Sequence, residues 1–169
     1  KEKQMLYTGP KLVWHLIGHL QVNKVRQAVP MFDLIHSVDS KKLLDEIEKI
    51  AAKHDKVQDI LLQVNVAREA SKSGMSVEEF PDIRDYAKTL PHVRVKGLMC
   101  MAPFFENPED ARPIFRVAHA LYEDMKGYFP DGDIQYLSMG MTHDFEIALQ
   151  EGANIVRVGT AIFGERVYN

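Results

Sequence analysis

Residues 137–164 read LSMGMTHDFEIALQEGANIVRVGTAIFG, from Leu137 to Gly164. The stretch carries two glycine-bearing turns, Ser138-Met139-Gly140-Met141 and Gly159-Thr160-Ala161, each after an apolar run and before a helix-like segment. A helix N-terminus presents unpaired backbone N–H groups and the positive end of a dipole, so two such turns in consecutive strand-to-helix loops form a phosphate cradle. In an eight-stranded β/α barrel the loops after the last two strands often have this role. Within the cradle Ser138 offers a hydroxyl, and Gly140 and Met141 offer backbone N–H groups. Gly159 permits close backbone approach and Thr160 adds a second hydroxyl. Either turn alone reads more simply as an ordinary start of a helix, with Thr142 as N-cap in the first. It is the pair that points to phosphate.

Outward from this stretch the chain alternates strand and helix signals. Residues 1–8 read as the tail of a helix stopped by Gly9-Pro10. The strand signals are 12–17, 32–38, 60–66, 93–99, 134–137 and 155–158, short apolar runs without hairpin turns between them. Helical spacing joins them. Leu20, Val22 and Val25 precede Pro30, and Leu43, Leu44, Ile47, Ile50 and Ala51 share one face after Asp39-Ser40. Ser76 and Glu79 form a capping box ahead of a helix that Pro91 stops. Asn107-Pro108-Glu109-Asp110 starts a helix that buries Phe115, Ala118, Tyr122 and Met125. Residues 144–150 are the next helix. Six β/α repeats without hairpins call for a parallel sheet with helical crossovers. No linker divides residues 1–169, so a single domain is expected. A closed barrel needs eight strands, which predicts a (β/α)8 TIM barrel whose first two β/α units are absent from the chain. The alternative is an open doubly wound sheet, which places its phosphate turn first rather than last.

The bulk composition narrows the function. The 169 residues are 46% hydrophobic and 27% charged, with net charge −3, so no basic field invites nucleic acid or an anionic membrane. Cys100 is the single cysteine, which leaves no internal disulfide and predicts a reducing, cytoplasmic setting. No apolar run approaches the roughly 20 residues of a membrane span. The opening KEKQMLY has no initiator Met, and an N-terminal part of the natural protein is expected to be missing.

Among the remaining polar residues, Arg157 stands inside the apolar run Ile155-Val156-Arg157-Val158, where a charge is costly unless paired. It reads either as a structural ion pair or as a ligand contact. His15 and His36 read as hydrogen-bonded residues of the sheet. His19 follows a strand and could reach the mouth of a barrel. No histidine pair has the i, i+4 spacing of a helical zinc site, so metal is not expected. Asn65 and Met99 stand at strand ends, and packing alone would explain Met99. Asp144 reads as an acid in a helix's first turn, His143 as a weak phosphate candidate, and Cys100 as a buried thiol.

Several ordered blocks resemble one family. WHLIGHLQVNKVR at 14–26, IHSVD at 35–39, LQVNV at 62–66, GLM at 97–99, SMGM at 138–141 with Asp144, and VRVGTAIFG at 156–164 are similar to the blocks of the pyridoxal phosphate homeostasis proteins. That family's barrel is similar to the N-terminal domain of alanine racemases. The resemblance implies a monomeric barrel that binds pyridoxal 5′-phosphate (PLP), with no established catalytic reaction and a role in buffering and delivering the cofactor to PLP-dependent apoenzymes. It implies that Ser138, Gly140, Met141, Gly159 and Thr160 grip the phosphate, that Arg157 neighbours the pyridine nitrogen, and that Asn65 and His19 lie near the cofactor. It also implies that the lysine bonding the aldehyde belongs to an AVSKT-type block on the first strand, with an FGEN-type block on the second. Neither block is in this sequence. Lys96 lies early in its strand, Lys24 lies in a helix, and Lys72 is the one lysine in a mouth-side loop, so no competent lysine is expected. The competing reading is an enzyme, either a racemase-like PLP enzyme or a phosphate-binding barrel isomerase. A racemase of this type needs a second domain with a catalytic tyrosine, and an isomerase needs a general base at a strand end. Neither is evident here.

Overall fold

The computed structural model describes residues 6–69 and 73–164. Its strands are β1 (His15–Leu16), β2 (Leu34–Val38), β3 (Gln58–Val64), β4 (Val93–Cys100), β5 (Tyr136–Met141) and β6 (Ile155–Arg157). The helices between and after them are α1 (Val25–Ala28), α2 (Lys41–Lys53), α3 (Phe80–Ala87), α4 (Arg112–Tyr128), α5 (Phe145–Gln150) and α6 (Thr160–Phe163). Short 3₁₀ turns at Val22–Lys24 and Pro108–Ala111 lead into α1 and α4.

All strand pairs are parallel, and the six strands lie in sequence order. A doubly wound sheet reverses direction at a switch point, which this order excludes. Right-handed crossovers that always step the same way put the helices on one face, and the sheet curls as a half-barrel. Residue parity follows. Ile35, Ile60, Leu62, Val64, Leu98, Leu137 and Met139 join the large cluster that includes the helix residues Leu44, Ile47, Phe80, Phe115 and Met125. The intervening residues Leu34, Leu61 and Met99 form a separate cluster on the inner face, edged by Met101 and Tyr136.

The local signals explain the helices. Ser40 accepts the Leu43 N–H and caps α2, whose buried face is Leu43, Leu44, Ile47, Ile50 and Ala51. The capping box forms: Glu79 accepts from the Ser76 N–H at 2.9 Å, and the Ser76 hydroxyl accepts from the Glu79 N–H at 3.2 Å. The Asn107 side chain accepts the Glu109 N–H, and α4 buries Phe115, Ala118, Tyr122 and Met125. Arg84 ties α3 to α4, stacking 3.8 Å over the Tyr128 ring and pairing with Asp124 at 2.7 Å.

Three expectations change. The first strand shrinks from 12–17 to His15–Leu16, because β1 is bonded only to β2 and has no neighbour on its other side among the described residues. The helix expected from His19 begins at Val25 after a 3₁₀ turn. Gln21 is extended and supplies no side-chain cap. The largest change is at β5. The Ser138–Met141 segment, expected as a loop, is strand, with Leu137 and Met139 facing the helices. Period-2 alternation through Leu137-Ser138-Met139 outweighs the turn signal of Gly140. The helix expected over 1–8 falls mostly on residues outside the described ones.

Candidate cofactor site

β5 and β6 carry the site's polar groups to the inner face. Ser138 is fully buried. Its Oγ accepts from Arg157 Nη1 at 2.8 Å and lies 3.0 Å from His36 Nδ1. Arg157 Nη2 donates to the Cys100 carbonyl at 2.9 Å. His36 Nε2 lies 3.1 Å from His15 Nδ1 at the sheet edge. A continuous polar chain therefore crosses the inner face from β6 to β5, β2 and β1, as the reading of His15 and His36 anticipated. Among the described residues no carboxylate lies within ion-pair distance of Arg157, so the structural ion pair is not what holds it.

The electrostatics follow from burial. Desolvation, then His15 and Arg157, push the His36 imidazole down to about 3, so it is neutral near pH 7. Partial burial lowers His15, and Asp33 offsets part of this. Burial also lowers Arg157, partly countered by Cys100 and Asp144, and the guanidinium keeps its charge. The Cys100 thiol is pushed up to about 12 by burial, which makes it the inert thiol expected.

The two glycine turns meet: the Gly159 N–H donates to Thr142 Oγ1 at 3.2 Å. Thr142 thus bridges to the second turn instead of capping α5. Asp144 stands at the N-cap position, and its Oδ1 accepts the Met141 N–H at 2.6 Å. That N–H is paired within the turn. The Ser138 hydroxyl pairs with Arg157 and His36. Gly140 serves packing. At φ +89 it brings β5 against α5, and a Cβ there would stand 2.6 Å from the Ala148 Cβ. At Gly159 a Cβ would meet nothing within 4 Å, and Thr160 beside it is exposed.

Asn65 and His19 do not join this group. The Asn65 side chain closes its own turn, donating to the Glu69 carbonyl at 2.9 Å and accepting the Glu69 N–H at 3.2 Å. His19 lines a different cavity of about 460 Å³, beside β1 and α1, with Leu16, Leu20, Lys24 and Phe32. Met99 is fully buried in the inner cluster. His143 lies 2.9 Å from the Phe105 carbonyl and stacks on Phe104. Lys96 lies 3.9 Å from Asp133, toward the start of β4. Lys72 lies outside the described residues. No cluster of three or more metal-ligating side chains occurs among the described residues, and no helix there is long and apolar enough to cross a membrane.

Residues 3–167 match the family of alanine racemase N-terminal domains. A pyridoxal phosphate homeostasis protein of Aquifex aeolicus is 48% identical over 157 residues, 93% of this chain and 68% of that relative. The chain belongs to the pyridoxal phosphate homeostasis protein family. Among solved structures, PipY of Synechococcus elongatus without PLP is 34% identical, with TM-score 0.86 over 96% of this chain and 76% of that one. The same protein with PLP bound aligns with TM-score 0.78, over 96% of this chain and 74% of that one. Family membership and the resemblance drawn from the ordered blocks agree. The blocks at 35–39, 97–99 and 138–141 lie on strands, or strand ends, that build the polar chain, and the block at 156–164 runs from β6 into α6.

Sequence reasoning missed two features of this site. The Cys100 carbonyl is backbone, so no side-chain signal marks it as an anchor for Arg157. The pairing of Ser138 with His36 was accessible in principle, because alternation from Tyr136 to Gly140 puts Ser138 on the face opposite Leu137 and Met139.

Proposed function

We propose that the chain binds PLP at the C-terminal ends of β5 and β6 as a cofactor-holding protein in PLP homeostasis, without a catalytic reaction of its own. The observation that carries this reading is Arg157, a charged side chain fixed by Ser138 and the Cys100 carbonyl just before the open Gly159-Thr160 turn. The donor set suits the ligand. The Gly159-Thr160 turn offers the Thr160 hydroxyl, the Thr160 backbone N–H and free space for a phosphate. A guanidinium beside a pyridine nitrogen disfavours its protonation. When bound, PLP supplies a reactive aldehyde and an electron-withdrawing ring. The work of this chain is to hold the phosphate, orient the ring and keep a second proton away from it. The PLP-bound structure of the relative PipY supports the same ligand.

In the same reading the half-barrel is part of a (β/α)8 barrel, with two further β/α units beyond β1. The sequential strand order and the one-sided helices support this. Binding here is noncovalent, the chain acts as a monomer in the cytoplasm, and PLP-dependent apoenzymes receive the cofactor.

Titrating PLP into the chain and following the absorbance of the ring tests the reading. Saturable binding is expected, weakened about tenfold or more by Arg157→Glu, the scale of losing a charge-assisted contact. Pyridoxal without phosphate should bind more weakly than PLP. An unchanged PLP spectrum would overturn the proposal, and a borohydride-trapped lysine adduct would overturn its noncovalent part.

A further inference from the structure

The polar chain across the inner face has one consistent direction. A guanidinium only donates, so Arg157 Nη1 gives its proton to Ser138 Oγ. The Ser138 hydroxyl proton then needs an acceptor, and among the described residues His36 Nδ1 at 3.0 Å supplies it. This leaves the His36 proton on Nε2, donated to His15 Nδ1 at 3.1 Å. His15 keeps its own proton on Nε2. The reverse direction would have both rings donating inward from Nδ1. It would leave the hydroxyl proton of fully buried Ser138 unpaired, which is costly.

We infer that His36 is a positioning residue for Arg157. Acting through Ser138, it locks the guanidinium across the ends of β5 and β6, and His15 closes the lock from the sheet edge. Three anchors on three strands then hold one charged group: the Cys100 carbonyl on β4, Ser138 on β5, and behind Ser138 the ring of His36 on β2. The groups around His36 set its state. Arg157 on β6 and His15 on β1 both oppose its protonation, and Asp33 acts on His15 at the outer end. Were His36 charged, its Nδ1 would become a donor, Ser138 would lose its acceptor, and a second cation would stand beside Arg157. The inference rests on the PLP reading only for what Arg157 faces.

Nitrogen-detected NMR of the histidine rings in the full chain without PLP tests the direction of the chain. A neutral His36 with its proton on Nε2 is expected at pH 7. A proton on Nδ1, or a charged ring, would overturn the inference. Two variants test the positioning. His36→Asn places an amide oxygen near the Nδ1 position and keeps an acceptor for Ser138, whereas His36→Gln places its amide nearer Nε2 and loses that acceptor. Exchange of the Arg157 Nε–H should stay within about twofold of wild type in His36→Asn and rise about tenfold in His36→Gln. The absorbance maximum of added PLP should move in His36→Gln and not in His36→Asn. Equal behaviour of the two variants would overturn the positioning role. Should either variant fail to fold, the ring tautomer of the unaltered protein decides. A wild-type chain that leaves the PLP spectrum unchanged defeats the cofactor reading, while the tautomer and exchange measurements, made without PLP, still decide the role of His36.

Discussion

The two faces of the sheet are built on different terms. On the helix-covered face, Ile35, Ile60, Leu62, Leu98, Leu137 and Met139 meet apolar helix residues in one large cluster. On the inner face, three buried apolar residues, Leu34, Leu61 and Met99, share the surface with His36, Ser138 and Arg157. Burying an imidazole, a hydroxyl and a guanidinium contributes little net stability even when all are paired, and leaving one unpaired is expensive. The helix-covered face therefore secures the fold, and the inner face gives up apolar packing to hold one cation in a fixed place. Adjacent residues on β3 test the contrast, because Leu61 and Leu62 are both fully buried and face opposite ways. Leu62→Ala should cost about 3–5 kcal/mol, near the top of the range for buried leucines. Leu61→Ala should cost less, about 2–3 kcal/mol, because its cluster is small. Urea denaturation of both variants measures the difference, and equal losses would break the contrast.

The helix-covered face was legible in the sequence, and the inner face was legible only in part. Periodicity named the buried positions of α2 and α4 correctly, because a stripe at i, i+3, i+4 and i+7 has one reading when long enough. Ser76 and Glu79 announced their capping box because its two bonds are local. The inner face depends on contacts distant in sequence, such as His36 with Ser138, 102 positions apart. No local pattern encodes that. Gly140 misled for a physical reason. A glycine before a helix signals a turn, whereas here its missing Cβ lets α5 lie close on β5.

Gly140 also sits where the two faces meet. Its Cβ would point at Ala148 and Phe145 of α5, and its φ of +89 lies in the region that favours glycine. Gly140→Ala should cost about 2 kcal/mol, combining backbone strain with overpacking. The same shift would displace the turn that leads to Asp144, so PLP affinity should fall with stability. A loss of stability with unchanged affinity would show that the end of β5 is separable from the site.

The smallest effect is a pH dependence that belongs to the inner face alone. His36 is depressed to about 3 in the folded chain, with burial the main cause. Unfolded, it titrates near 6.5. Between those values the unfolded chain binds a proton that the folded chain does not, so stability rises with pH. The contribution is complete above pH 6.5 and is lost as pH falls toward 3. From pH 6 to pH 5 the loss should be about 1 kcal/mol, since the unfolded imidazole is mostly protonated across that interval. His15, also lowered, adds in the same direction. The carboxylates lowered in the folded chain, Glu79, Asp85, Glu109, Glu123 and Glu151, lose their contributions below the ordinary carboxylate range, which lies under this window. His36→Asn removes the titrating ring while keeping an acceptor for Ser138, so it should flatten the slope between pH 6 and pH 5 without abolishing the fold. Urea midpoints at the two pH values give that slope directly. If the variant kept the wild-type slope, the proton uptake would belong to other groups and His36 would not be the neutral centre of the inner face.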